Sequence, residues 1–166
     1  AAPPKTPPMD EGGMLDALVE DSARVRGELS ARLKHVRECL AVWHRGDVQG
    51  ALQAAVRCSD DGAVCDVVSC VCRMPQSLTL DSFVLLLPRL SALLTSHDVD
   101  HTVASMHTIQ VLVRTFSDLI KRSLSGPQPP GVDITAEERR RKCQHIYAEL
   151  QATSSSERGL GGLRRR

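Results

Sequence analysis

Between Val99 and Leu124 the apolar residues Val103, Met106, Ile109, Val113, Phe116, Ile120 and Leu124 recur at spacings of three and four. That period places them along one face of an α-helix and is incompatible with the period-2 alternation of a strand. A chain dominated by such stripes has to bury them against other helices. The aromatic content points the same way. Trp43, Phe83, Phe116 and Tyr147 are the four aromatic residues, 2% of the chain, while 42% of it is hydrophobic. The core must therefore be built from Leu, Val, Ile, Ala, Met and Cys, which suits interlocking helices better than a β-sandwich.

Residues 1–13 hold four prolines and two glycines, and read as a linker with a separate domain upstream. The start at Ala1 rather than Met fits a fragment of something longer. A helical pattern follows from Met14 to His44, with Leu15, Leu18, Val25, Leu29, Val36, Leu40 and Trp43 on one face and Leu33 widening it. A helix of this length packs on several neighbours or projects beyond its domain, and its N-terminal half is expected off the core. Gly46 ends it and Asp47 caps the next helix, Val48 to about Cys58.

Asp60-Asp61-Gly62 restarts the chain into a helix over 63–73, with Val64, Val67, Val68 and Val71 inward. The β-branched run resembles a strand, but Cys, Ser and Asp interrupt its alternation. After a loop at 74–77 comes a helix over 78–96, which Pro88 should kink or split by removing an N–H. The proline-rich segment 125–131 reads as a stiff loop. Thr135 and Glu138 then form a capping-box pattern at the start of the last helix, whose stripe is Cys143, Ile146, Tyr147 and Leu150. The expected architecture is all-α: an irregular antiparallel bundle or α-solenoid-like array of six or seven helices over 14–152, with a disordered basic tail over 153–166.

Catalytic motifs are sparse. No G-x-x-x-x-G-K-[ST], G-x-G-x-x-G or G-x-S-x-G occurs, and the adjacent pairs Asp60-Asp61 and Glu137-Glu138 point in two directions rather than converging. His97 and His101 stand four apart, as two metal ligands on a helix would, but they straddle a helix start and lack a nearby third ligand. Cys58, Cys65 and Cys72 repeat at seven with Cys70 beside them; without paired turns, that spacing reads as one buried face of small hydrophobes. The expectation is a non-enzyme with no cofactor and no metal. Free thiols fit a reducing compartment.

Charge is uneven. Residues 1–30 carry six acids against three bases, and residues 133–166 carry eight bases against five acids. Arg139, Arg140 and Lys142, helped by Lys121 and Arg122, are the candidate contacts for an acidic polymer, against the alternative of a solvated helix face. The scarcity of aromatics argues against single-stranded nucleic acid. Trp43, Phe116 and Tyr147 are the aromatic candidates for a partner interface, with a core role as the competing reading.

Several of these segments resemble a known family. Gly131-Val132-Asp133-Ile134-Thr135-Ala136-Glu137-Glu138-Arg139, followed by Lys142-Cys143 and Tyr147, is similar to the end of the con80 domain, the C-terminal domain of the p80 regulatory subunit of katanin. Val42-Trp43 with Gly46-Asp47 resembles that family's A-V-W-x-x-G-D turn, and Leu87-Pro88 with Leu93-Leu94 resembles its V-L-P helix. The match runs in order from about Val36 to Leu150. It implies pairing with the N-terminal helical domain of the p60 AAA ATPase subunit, which carries the ATP hydrolysis. It also implies assistance to microtubule binding, recruitment of spindle-pole or microtubule-end proteins, and a location at microtubules, centrosome or spindle pole and possibly the ciliary base. Neither nucleic acid nor membrane is an expected partner. The rival reading is an unrelated helical-repeat adaptor with no microtubule role.

Overall fold

The structure, a computed structural model, describes residues 11–126 and 133–163, with side chains through Ser155. Most of the expected linker, the loop residues 127–131 and the last three arginines lie outside the described residues. Among the described residues there are six α-helices and no strand: α1 Glu11–His44, α2 Val48–Arg57, α3 Asp61–Val71, α4 Leu80–Leu93, α5 Val99–Ser125 and α6 Ile134–Leu163, with a short 3₁₀ turn at Pro75–Ser77. The all-α reading holds.

Local chemistry sets the boundaries. Gly46 has φ 87°, a left-handed conformation that side chains disfavour, and its N–H closes α1 on the Trp43 carbonyl at 2.8 Å. Asp47 then accepts from the Gly50 N–H at 2.7 Å to cap α2, and Asp60 accepts from Gly62 and Ala63 to cap α3. Asp98 caps α5. At α4, Thr79 and Ser82 form a reciprocal capping box.

Four expectations are corrected. The cap of α6 is Asp133, which accepts from the Ala136 N–H at 3.0 Å; Thr135 lies inside the helix, and Glu138 turns to a lysine instead. Pro88 does not split α4, which runs unbroken. Cys58, Cys65 and Cys72 do not share a helix face, because Cys58 ends α2 and Cys72 ends α3. Finally, α6 continues to Leu163, past Ala152, where the sequence suggested an end.

The core forms where α4 runs between the other helices. Phe83, Leu86, Leu87 and Leu90 of α4 meet Leu52, Val64, Val68, Leu112, Cys143 and Ile146. Burial of each large side chain of this set contributes about 1.5–3 kcal/mol. The β-branched run of α3 is buried as expected at Val64, Val67, Val68 and Val71. On α5 the buried line is Ser105, Thr108, Leu112, Phe116 and Ile120, whereas Val99, Val103 and Met106 are exposed. Two small hydroxyl residues occupy the interior because each is satisfied there: Ser105 donates to the Leu90 carbonyl at 2.6 Å and Thr108 to the Ala104 carbonyl at 2.7 Å. Their size lets α5 approach α3 and α4 closely.

Candidate partner-docking face and basic corner

The first half of α1 stands off this core. Every residue from 11 to 31 is exposed. The helix joins the body at Arg32, whose Nε donates to Asp66 Oδ2 of α3 at 2.6 Å. Gly62 makes room for this side chain, since a Cβ there would lie 2.6 Å from the guanidinium. The hydrogen bond to Asp66 raises the Arg32 pKa further above its ordinary value.

Beyond that junction the apolar stripe of α1 continues without cover. Met14, Leu15, Leu18, Val19, Val25, Leu29 and Leu33 are between 46% and 68% exposed. Downstream the same face carries Val36, Cys39 and Trp43, which pack into the body under α2 and α3. A shallow groove runs along the open part, with Leu18, Val25, Leu29 and Leu33 on its floor and Asp21 and Arg26 at its edges. Apolar area of this extent on one helix makes the stripe the candidate interaction surface.

The second candidate lies at one end of the bundle. Lys142 of α6 reaches Asp81 of α4 at 2.7 Å, and the hydroxyls of Ser91 and Thr153 lie 2.9 Å apart, so α4 and α6 run parallel. α5 runs antiparallel to them, with Ser105 on Leu90 and the Phe116 ring 5.9 Å from Phe83. The C-terminal turn of α5, with Lys121 and Arg122, therefore lies at the same end as Arg139 and Arg140.

Lys142 is committed to the fold. Its ammonium sits between Asp81 at 2.7 Å and Glu138 at 2.8 Å. Hydrogen bonds to Asp81 and then Glu138 raise its pKa, and the bond from Lys142 holds the Glu138 carboxyl below its usual range. Arg122 folds back, donating through Nε to the Asp118 carbonyl at 3.1 Å. Lys121 and Arg139 are exposed and Arg140 is half-buried. Asp118, Glu137 and Glu138 lie on the same turns and dilute the field.

The aromatic candidates separate. Phe116 is buried against Phe83, a core residue rather than a contact residue. Trp43 packs against the core at the α1–α2 corner, and Tyr147 is 51% exposed. Among the described residues no cluster of ligand side chains could hold a metal. His101 Nδ1 instead meets the Ser96 hydroxyl at 3.3 Å, and His97 precedes the helix. The six cysteines are free thiols. Burial pushes the Cys65 thiol up to about 11, so it stays protonated. Among the described residues no helix is long and apolar enough to cross a membrane.

A family model described as the con80 domain of katanin matches residues 20–161. The chain belongs to the con80 domain family of katanin. A katanin p80 WD40 repeat-containing subunit B1 homologue of Arabidopsis thaliana is 33% identical over 142 residues, 86% of this chain and 12% of the relative. The katanin p80 WD40 repeat-containing subunits B1 of Danio rerio and Gallus gallus are 33% and 30% identical, over 76% and 81% of this chain and 18% and 20% of theirs. The chain thus spans a fifth or less of the length of these relatives. Its membership replaces the reading as an unrelated helical-repeat adaptor. The matched region takes in Val25, Leu29 and Leu33 of the open stripe, while Met14, Leu15, Leu18 and Val19 precede it.

The residues of the open stripe are partly visible in the sequence, where the α1 periodicity and its excursion from the core are apparent. Arg32, Asp66 and Asp81 carried no local signal, because each acts through a partner on another helix.

Proposed function

We propose that this con80 domain is the docking module of a katanin regulatory subunit, pairing with the N-terminal helical domain of the p60 ATPase subunit. The carrying observation is the uncovered stripe of α1, which continues a face that the domain's own helices cover downstream. ATP hydrolysis belongs to p60 in this reading, and the con80 domain contributes binding alone. The decisive experiment is co-purification of residues 1–166 with the p60 N-terminal domain, followed by calorimetry. A stoichiometric complex with a micromolar or tighter dissociation constant, about 8 kcal/mol of binding, supports the reading. Two folded partners that form no complex overturn it.

The same complex would assist microtubule binding and bring p60 to spindle poles or centrosomes. Lys121, Arg122, Arg139 and Arg140, gathered at one end of the bundle, are the contacts offered for the acidic tubulin surface. Lys142 is withdrawn from that set by its two carboxylates. Co-sedimentation of the complex with microtubules, with and without Arg139→Glu and Arg140→Glu, tests this. Equal pelleting of the two proteins would place the contact elsewhere.

A further inference from the structure

Of the 21 lysines and arginines, only Arg114 and Arg122 have a serine or threonine three residues on, at Ser117 and Ser125. An arginine at that offset is the charge pattern by which one large class of serine kinases selects its substrates. The fold treats the two serines differently. Ser117 is half-buried and lies about two turns inside α5. Ser125 is exposed and is the last residue of that helix, whose end is closed by the Gly126 N–H on the Arg122 carbonyl at 3.0 Å. Kinases take their substrates as extended chain, and the last turn of a helix opens at far lower cost than its middle. Ser125 therefore combines the arginine, an exposed hydroxyl and a helix end that can open, and Ser117 has the arginine alone.

Ser125 also sits within the basic corner. Lys121 and Arg122 precede it by four and three residues, so the three share one side of α5, and all are exposed. Arg122 uses only its Nε on the Asp118 carbonyl, at 3.1 Å. We propose that Ser125 is a phosphorylation site for an arginine-directed serine kinase, and that its phosphate ties Lys121 and Arg122 to itself. In the transfer the Ser125 hydroxyl oxygen bonds to the γ-phosphorus of ATP. The bond from that phosphorus to the β-bridging oxygen breaks, ADP leaves with its electron pair, and the hydroxyl proton passes to the aspartate base of the kinase. The phosphoserine carries a charge of about −1.5 to −2 at neutral pH. At the C-terminus of α5 this charge opposes the helix dipole, which drives it onto the two adjacent bases. Arg139 and Arg140 then remain at the corner against Asp118 and Glu137, with little net positive charge left for an acidic polymer. That consequence rests on the microtubule reading of the corner and names how it is regulated.

The test incubates the full chain with ATP and a purified calmodulin-activated kinase that selects arginine three residues before serine, and maps the product by tandem mass spectrometry. Ser125 is expected to be modified at least about tenfold faster than Ser117 in the folded protein, and Ser125→Ala and Arg122→Gln each to abolish that signal. No phosphate on Ser125, from a kinase active on a reference peptide, overturns the site, as does faster modification of Ser117. A phosphorus NMR titration reads the pairing without microtubules. The second pKa of the phosphoserine is expected below its ordinary value of about 6, and to rise toward it in Lys121→Gln. An ordinary value in the parent overturns the pairing. Co-sedimentation with microtubules, of the domain alone and with the p60 N-terminal domain, reads the consequence. Phosphorylation is expected to weaken the affinity about fivefold or more, and phosphatase to restore it. Unchanged affinity, where Arg139→Glu and Arg140→Glu do weaken it, overturns the switch and leaves the basic corner standing. If the charge reversals have no effect either, the corner reading fails, and the mapping and the titration decide the phosphorylation site and its pairing by themselves.

Discussion

Arg32 and Asp66 meet at 2.6 Å across 34 residues of sequence, and their pairing marks where α1 leaves the body. Upstream of it α1 is exposed on all sides, and from Val36 onward one face of it packs through Val36, Cys39 and Trp43. The pair therefore holds the direction in which the open apolar face of α1 projects. Both side chains are more than a third exposed, so solvent screens the interaction and its contribution to stability is about 1 kcal/mol or less. Asp66→Asn is expected to move the urea midpoint little while raising amide exchange through residues 11–31. Exchange unchanged upstream of Arg32 would show that the pair does not anchor the projecting helix.

Phe83 is fully buried at the centre of the core and touches Phe116. Phe83→Ala leaves a cavity that the surrounding leucines fill incompletely, and is expected to cost about 3–5 kcal/mol. Urea denaturation followed by circular dichroism measures it. A loss below about 1 kcal/mol would mean that the core collapses around the gap.

The Lys142–Glu138–Asp81 cluster predicts pH effects of opposite direction at the two ends of the scale. The folded Glu138 pKa lies below 4.5, so its contribution is full above 4.5 and disappears as pH falls through the lower folded value. The folded Lys142 pKa lies above 10.5, so its contribution is full below 10.5 and disappears as pH rises through the higher folded value. Lys142→Met should flatten both limbs of a melting-temperature profile relative to the parent. Parallel profiles for the two proteins would contradict the assignment.

Cys65 is buried, with its thiol pushed up to about 11, and Cys39 and Cys72 are shifted upward by burial as well. At pH 8 the native domain should therefore release these thiols to an aromatic disulfide reagent far more slowly than the half-buried Cys70, and at equal rates once unfolded. Mass spectrometry of partly modified protein identifies the order. Early labelling of Cys65 would require α3 to open in the native state.

How much of this was readable before folding differs from helix to helix. The stop at Gly46 and the cap at Asp47 are local devices, and both are apparent in the sequence because a cap acts on backbone groups two or three residues away. The α6 cap was misplaced for a related reason: Asp133 and Thr135 both offer a side-chain oxygen, and which one accepts depends on where the chain enters the helix. Of the stripe expected on α5, Phe116 and Ile120 are buried and Ile109, Val113 and Leu124 pack against the core, whereas Val103 and Met106 are exposed and the interior received Ser105 and Thr108 in their place. Periodicity ranks residues by hydrophobicity, whereas close helix packing also selects for small size once the hydroxyls are bonded.

By itself the sequence determined the all-helical class, the stop at Gly46 with the cap at Asp47, the projecting start of α1 and membership in the con80 family, because these follow from contacts within a turn or two or from motifs read in order. Only the tertiary structure decided that Phe116 faces Phe83 rather than a partner and that Lys142 is held by Asp81. It alone decided that α1 becomes free at Arg32, where its last tie to α3 is made. Those outcomes depend on which side chains meet when distant helices pack, and no local spacing encodes that meeting.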